Sequence, residues 1–374
     1  MTVNLLVIKE RKRQDPFAVA DPSDFEFEAG EAIDPQIVVT NLRITLYCLD
    51  HVNRRALFVE TAPGVDLSQA PFFYQAQYEN TVNLYGVSYD TLHQLADGIS
   101  LDSQQLMLVY STGRSGSTLI GFALNAVSGV VGISEPDVFT QLVSLREWDG
   151  SNEAEISALV KSCMKFLCKP TEQIPNPIAW SIKFRSFSIE LGDLLYKHFP
   201  HAKIVFLYRQ LESWAVSTMN AFIENDTIEL RTWFQMWLAT LVPSIAKHAR
   251  ENGSILSLFT MGAMMWTSIL VRYMELLGHG VPILAIRFED IKSAPQDATQ
   301  KIIEYCGFLN ADMKSVYDVL EKDSQAGSVV SQEMLVQRDF QLTDTHRADF
   351  AQVLQAHPVI HSGDYVVPFT WVRE

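Results

Sequence analysis

The chain of 374 residues is short of basic side chains: 29 lysines and arginines stand against 44 aspartates and glutamates, a formal net charge of −15. A partner held by neutralising a row of phosphates is not expected of such a chain, which argues against nucleic acid. Cysteine is equally scarce. Cys48, Cys163, Cys168 and Cys306 are scattered without metal-ligand spacing, so no metal centre is expected and a reducing cytoplasm is the expected setting. No hydrophobic run is long enough to cross a bilayer. The most apolar stretch, residues 259–271, is broken by Thr260, Gly262, Thr267 and Ser268 and closed by Arg272, and reads as a buried helix. The apolar segment 1–8 is too short for a secretory signal and runs into the charged residues 9–15, so no leader and no membrane contact are expected. Internal repeats and low-complexity tracts are absent too.

What the chain does have is one stretch with an abrupt change of texture. Residues 106–110 (LMLVY) are almost wholly apolar and predict a strand buried on both faces, as a parallel sheet requires. Residues 111–118 then hold two glycines, three serines, two threonines and one arginine, and lead into Leu119, Phe122, Ala123, Ala126 and Val127 at helical spacing. The first N–H groups of such a helix lack intrahelical acceptors and, with the helix dipole, favour an anion. The nucleotide-hydrolase loop of this layout needs a lysine before its hydroxyl residue. Here the loop reads Gly113, Arg114, Ser115, Gly116, Ser117, Thr118, with no such lysine.

Further predicted strands follow at residues 129–134, 179–184, 203–208 and 282–287, separated by helical stretches at 144–169, 227–251 and 255–277. The pattern predicts an α/β fold: a helix-covered parallel sheet of about five strands, with the loop at the end of one of them. Residues 1–103 differ and predict a small α+β appendage. Short antiparallel strands are expected at 36–40, 42–48 and 55–61, a solvated acidic loop at 21–34, and a partly helical, aromatic-rich segment at 71–95. The domain division expected is therefore 1–103 and 104–374.

Polar groups stand at the carboxyl ends of consecutive predicted strands: the 111–118 loop, Glu135, Lys183 and Arg209. In an open parallel sheet the ligand crevice lies outside those ends. Each group also has a plain structural explanation. The loop could be a turn and cap, Glu135 a helix cap before Pro136, Lys183 a partner of a surface carboxylate, and Arg209 a partner of Glu212.

The loop resembles the 5′-phosphosulfate loop of sulfotransferases that use 3′-phosphoadenosine 5′-phosphosulfate (PAPS), nearest to the tyrosylprotein and carbohydrate branches. The resemblance extends over roughly residues 104–345. It implies that Arg114, Ser115, Gly116, Ser117 and Thr118 hold the 5′-phosphosulfate, and that Arg209 and Ser217 bind the 3′-phosphate as the family's R-x7-S pair. Glu135, in its Ser-Glu-Pro setting, is similar to the family's general base. Lys183 resembles the lysine that stabilises charge on the departing oxygen, although Arg185 shares its face of the strand. Phe288, where the family often has tyrosine, Ser331 and Arg338 resemble the later nucleotide contacts. Ala221 replaces a family arginine. The chemistry needs a carboxylate whose affinity for protons is raised by partial burial.

These features predict a sulfotransferase that moves a sulfuryl group from PAPS to a hydroxyl or amide nitrogen of a small-molecule acceptor and requires no metal. The acidity fits a cationic acceptor, such as a guanidinium metabolite of the saxitoxin kind. A P-loop kinase or hydrolase, and a non-catalytic nucleotide-binding module, are the competing readings. Oligomeric state is not legible.

Overall fold

The computed structural model describes residues 3–223, 225–326, 331, 333 and 339–373. The chain divides into two compact units: Met1–Met107, Gly129–Arg185 and Leu191–Ala202 form one, and Leu108–Ser128, Ser186–Glu190 and Lys203–Glu374 the other.

The first unit carries a five-stranded antiparallel sheet, in the order β2-β1-β5-β4-β3. Its strands are β1 (Val3–Arg11), β2 (Phe25–Ile33), β3 (Ile44–Asp50), β4 (Arg55–Thr61) and β5 (Thr81–Ser88), with helices α1 (Ile37–Thr40), α2 (Phe73–Asn80) and α3 (Tyr89–Asp97). Two expectations for this region are corrected. Residues 21–34 are not a solvated loop, because the acidic residues hide a period of two. Strand β2 pairs with β1, and Glu26 and Glu28 pair with Lys12 and Lys9 along its exposed side. Residues 36–40 are helical despite their β-branched composition; the Asp34 carboxylate accepts from the Gln36 N–H at 2.9 Å and starts the turn. The aromatic segment is partly helical, as expected, and also carries the strand β5 between its two helices. Its Tyr74 is core, packed with Phe25, Tyr47, Leu57, Val59 and Leu84, and Phe72 and Tyr78 lie against that cluster.

The second sheet is parallel, with the order β10-β9-β6-β8-β7. Its strands are β6 (Leu106–Ser111), β7 (Val130–Ser134), β8 (Ala179–Lys183), β9 (Lys203–Tyr208) and β10 (Ile283–Arg287). All six residues of β6 are buried, as its apolar run predicts. After β6 comes α4 (Ser117–Asn125); after β7 come α5 (Val138–Leu145) and α6 (Glu153–Leu167), two helices where the sequence predicts one; and α7 (Gly192–His198) follows β8. The helices after β9 are α8 (Leu211–Phe222), α9 (Ile228–Ala239), α10 (Pro243–Glu251) and α11 (Leu258–Gly278). Pro243 opens α10 and divides the single helix expected over 227–251. The stretch over 259–271 is indeed a buried helix, with Trp266, Ile269, Leu270 and Tyr273 inside. Helices α12 (Phe288–Ser293), α13 (Pro295–Tyr305), α14 (Met313–Leu320) and α15 (Asp344–Ala356) complete the described chain. No helix among the described residues is long and apolar enough to cross a membrane. The four cysteines are free and buried.

One buried cation in the first unit bears on stability rather than chemistry. The Lys169 ammonium donates to the Val38 carbonyl at 2.6 Å and the Asn41 carbonyl at 3.2 Å, capping α1. Burial lowers its pKa to about 7. The unfolded chain therefore holds this proton to higher pH than the folded one, so stability should rise between about pH 7 and 10, by at most about 1.4 kcal/mol per pH unit for a single proton. Urea denaturation over that range should show the rise in the native protein and a flatter profile in Lys169→Met.

Candidate active site

In the second unit the 111–118 loop is built around two glycines in the left-handed region, Gly113 at φ 76° and Gly116 at φ 80°. A Cβ at Gly113 would stand 2.9 Å from the Ser186 hydroxyl, and one at Gly116 would stand 3.3 Å from the Phe288 ring. Both positions thus need glycine for conformation and for space. The loop is fixed from behind: the Thr112 N–H and the Ser115 hydroxyl both donate to the Leu207 carbonyl, at 3.0 and 3.1 Å, and the Trp214 indole donates to the Thr112 carbonyl at 2.9 Å. Gly116 is the N-cap of α4 and offers no side chain to cap it. The first amides of α4 therefore have no side-chain cap, an arrangement with the chemistry to receive an anion.

Arg209, just past β9, donates from Nη1 to the Arg114 carbonyl at 3.1 Å and from Nε to the Ser213 hydroxyl at 2.9 Å. Its guanidinium lies 4.4 Å from the centre of the Phe288 ring. Ser217 is engaged by Arg114, whose Nε donates to it at 3.1 Å. The structure therefore brings Arg114, Arg209, Ser217 and Phe288 together around the loop, and adds Ser213, which sequence reasoning missed. Thr118 accepts from the Gln325 amide at 2.8 Å. The alternative partner for Arg209 is engaged elsewhere, since Glu212 pairs with Arg347 at 3.4 Å. Among the described residues no carboxylate pairs with Arg209 within 4.0 Å. Burial lowers its pKa, with partial opposition from the charge of Glu289. Ser331 is buried, and Arg338 lies outside the described residues.

In the first unit, β7 and β8 run parallel with Ser134 opposite Lys183, and the Glu135 N–H extends the pairing by donating to the Lys183 carbonyl at 2.6 Å. Glu135 then turns into the left-handed region, at φ 60°. This is a sparsely occupied conformation for a residue with a Cβ, and it costs about 1 kcal/mol or more. Its carboxylate is ion-paired to the Lys183 ammonium and stands 3.7 Å from the Arg185 Nε. The capping alternative does not describe this geometry. Asp137, not Glu135, is the N-cap of α5, and no side chain caps there. Lys183 is buried and its carboxylate partner is Glu135 itself.

Sequence reasoning stopped at the Glu-Pro pair and passed over Asp137, which is fully enclosed. Its carboxylate meets the Arg185 guanidinium at 2.7 and 3.0 Å and accepts from the Ala20 N–H at 2.8 Å. Burial raises the Asp137 pKa to about 6, and Arg185 offsets part of that rise. Burial acts to lower the Arg185 pKa, but Asp137, Tyr74 and Glu135 outweigh it and leave the group firmly cationic. The signal in the sequence was available: an aspartate two residues after a strand-end glutamate and an arginine two residues after a strand-end lysine. Alternation placed Lys183 and Arg185 on one face, and both do reach Glu135.

The sequence model of the sulfotransferase family matches residues 107–310, more than half of the chain. The chain belongs to the sulfotransferase family. Its members transfer sulfuryl groups, and the matched span of this sulfotransferase contains the loop, Glu135, Lys183, Arg209, Ser217 and Phe288. Similar solved structures include sulfotransferase STF9 from Mycobacterium avium, at 13% identity over 72% of this chain and 81% of that one, with a TM-score of 0.39. Mouse sulfotransferase SULT7A1 complexed with PAP is 14% identical over 72% of this chain and 91% of that one, with a TM-score of 0.38. The sulfotransferase domain from the curacin biosynthetic pathway is 13% identical over 68% of this chain and 98% of that one, also at 0.38. No curated protein matches the sequence significantly.

The loop geometry gives a direct test in this sulfotransferase. Gly116→Ala puts a Cβ at φ 80° and against Phe288, which should cost about 1–2 kcal/mol of stability in chemical denaturation and weaken inorganic sulfate or phosphate binding in the same protein.

Proposed function

We propose that this sulfotransferase uses PAPS and transfers its sulfuryl group to a hydroxyl or amide nitrogen of a small-molecule acceptor by in-line displacement. The observation that carries the reading is Arg209: a part-buried guanidinium with no carboxylate partner among the described residues, bonded to the loop through the Arg114 carbonyl. A cation so placed is suited to a phosphate dianion, which its planar fork can grip at two oxygens.

Arg209, Ser213 and Ser217 would hold the 3′-phosphate, and the amides of residues 115–118 with Arg114 and Thr118 the 5′-phosphosulfate. Glu135 would take the proton of the acceptor as the new sulfur–oxygen or sulfur–nitrogen bond forms. Lys183 would swing from Glu135 to the bridging oxygen as the old sulfur–oxygen bond breaks, leaving adenosine 3′,5′-bisphosphate. Phe288 supports Arg209 from below; Ser331 and Arg338 complete the nucleotide contacts. The loop supplies the positive field, so no metal is invoked, and without a lysine before its hydroxyl residue it gives no support to a magnesium–nucleotide reading.

We assign residues 104–374 to the sulfotransferase domain and 1–103 to an N-terminal appendage, in a cytoplasmic protein that binds neither nucleic acid nor membrane. The net charge of −15 favours a cationic acceptor, a guanidinium metabolite being one example.

Two measurements test the assignment. In Glu135→Gln, turnover of PAPS with a panel of small hydroxyl and guanidinium acceptors should fall at least 100-fold, while calorimetric affinity for adenosine 3′,5′-bisphosphate stays within about threefold; undiminished turnover would remove Glu135 as the base. In Arg209→Ala, affinity for the bisphosphate should fall about 10–100-fold, and affinity for adenosine 5′-phosphate should hardly change. Equal losses for both nucleotides would contradict the 3′-phosphate assignment.

A further inference from the structure

The N-terminal segment has no part in the chemistry as described so far, yet residues of its β1–β2 connection and of α2 reach the strand end that carries Glu135. The Tyr74 ring lies under two guanidinium groups, Arg185 at 4.4 Å and Arg13 at 4.9 Å. Tyr74 is itself buried, and its hydroxyl donates to the Pro16 carbonyl at 2.9 Å. Arg185 donates to the carbonyls of Phe17, at 2.8 Å, and Ala18, at 3.3 Å; Arg13 also donates to Ala18. Each guanidinium has its own carboxylate. Arg13 pairs with Asp24 at 2.9 Å, and Asp24 in turn accepts from the Tyr47 hydroxyl at 2.5 Å. Arg185 pairs with Asp137, whose other contact is the Ala20 N–H.

The result is a continuous chain from Tyr47 through Asp24, Arg13, Tyr74 and Arg185 to Asp137, and its Arg185 Nε stands 3.7 Å from the Glu135 carboxylate. Both ends of the Arg185 fork are held, Nη1 by the Phe17 carbonyl and Nη2 by the Ala18 carbonyl and the Asp137 carboxylate, which restricts where the group can lie. Two like charges facing one ring repel each other, and the arrangement needs both carboxylates and the ring quadrupole to hold it. A core requires none of this; apolar side chains of equal volume would fill the space at lower cost. Glu135 does require it. The residue is in a strained conformation, and Lys183, its nearer cation, is the group that must leave it during transfer. A fixed second cation keeps the carboxylate in place when that happens.

We infer that Arg13 and Tyr74 are positioning residues for Glu135, acting through Arg185, and that residues 1–103 are therefore part of the catalytic apparatus of this sulfotransferase. The inference rests on the reading of Glu135 as the base. The charged and titratable groups facing Glu135 are Lys183, Arg185, Asp137 and Tyr74.

The test compares Tyr74→Leu, Tyr74→Phe and Arg13→Lys in the full chain. Carbon NMR of glutamate-labelled protein, assigned with Glu135→Gln, follows the Glu135 carboxyl resonance at one fixed pH as a report of its surroundings. In Tyr74→Leu that resonance should shift or broaden as Arg185 loosens, and kcat should fall at least tenfold. The KM for PAPS and the calorimetric affinity for the bisphosphate should stay within twofold. Tyr74→Phe keeps the ring and should retain the native resonance and most of kcat. Arg13→Lys, which keeps charge but loses the fork, should move both readouts in the direction of Tyr74→Leu and serves if that variant does not fold. A lowered melting temperature with an unmoved Glu135 resonance and native kcat would overturn the inference. If Glu135→Gln itself turns over normally, the base assignment fails, and the resonance still reports whether the chain of contacts positions Glu135.

Discussion

A guanidinium taken out of water must find an anion, and the organisation of this protein follows from where that anion comes from. Arg13 and Arg185 find theirs in the protein, at Asp24 and Asp137, and become structure. Arg209 has none among the described residues and is held by a carbonyl, a hydroxyl and a ring instead. That difference underlies our proposal that Arg209 serves a ligand rather than the fold. The loop that it bonds has a left-handed glycine at the helix start and no side chain to cap the amides.

Backbone strain marks the same places. Among the described residues, four positions other than glycine have positive φ: Arg54, Arg114, Glu135 and Phe369. Two of them are the loop arginine and the candidate base. Both sit where a parallel strand ends and the chain must turn at once, and both are tied down around the turn. Arg114 is held by Arg209 and Ser217, Glu135 by Lys183 on main chain and side chain alike. Such conformations persist only where the surroundings over-determine them.

Much of this was legible in the sequence because parallel strands and glycine-containing turns leave strong local signals. The apolar run of β6, the change to glycine and serine at Ser111, and the strand ends at Lys183 and Arg209 are each visible in a window of a few residues, and the α/β class with its parallel sheet follows from their alternation with helices. The N-terminal half was harder for a physical reason. Strand β2 alternates phenylalanine with glutamate, so its composition suggests solvent while its period suggests a sheet, and the period decides. The short helix at Ile37–Thr40 is started by one carboxylate against the β-branched preference of its residues. The contacts of Arg13 with Tyr74 and of Asp137 with Ala20 join residues more than sixty positions apart, and no local pattern announces them.

The central claim is that Arg209 and the uncapped start of α4 bind the two phosphates of one nucleotide. A crystal structure with adenosine 3′,5′-bisphosphate tests it most directly. The account predicts the 3′-phosphate within hydrogen-bonding distance of Arg209 and Ser217 and the 5′-phosphate on the amides of residues 115–118. A nucleotide bound elsewhere, or bound in the loop with Arg209 turned away from both phosphates, would contradict it.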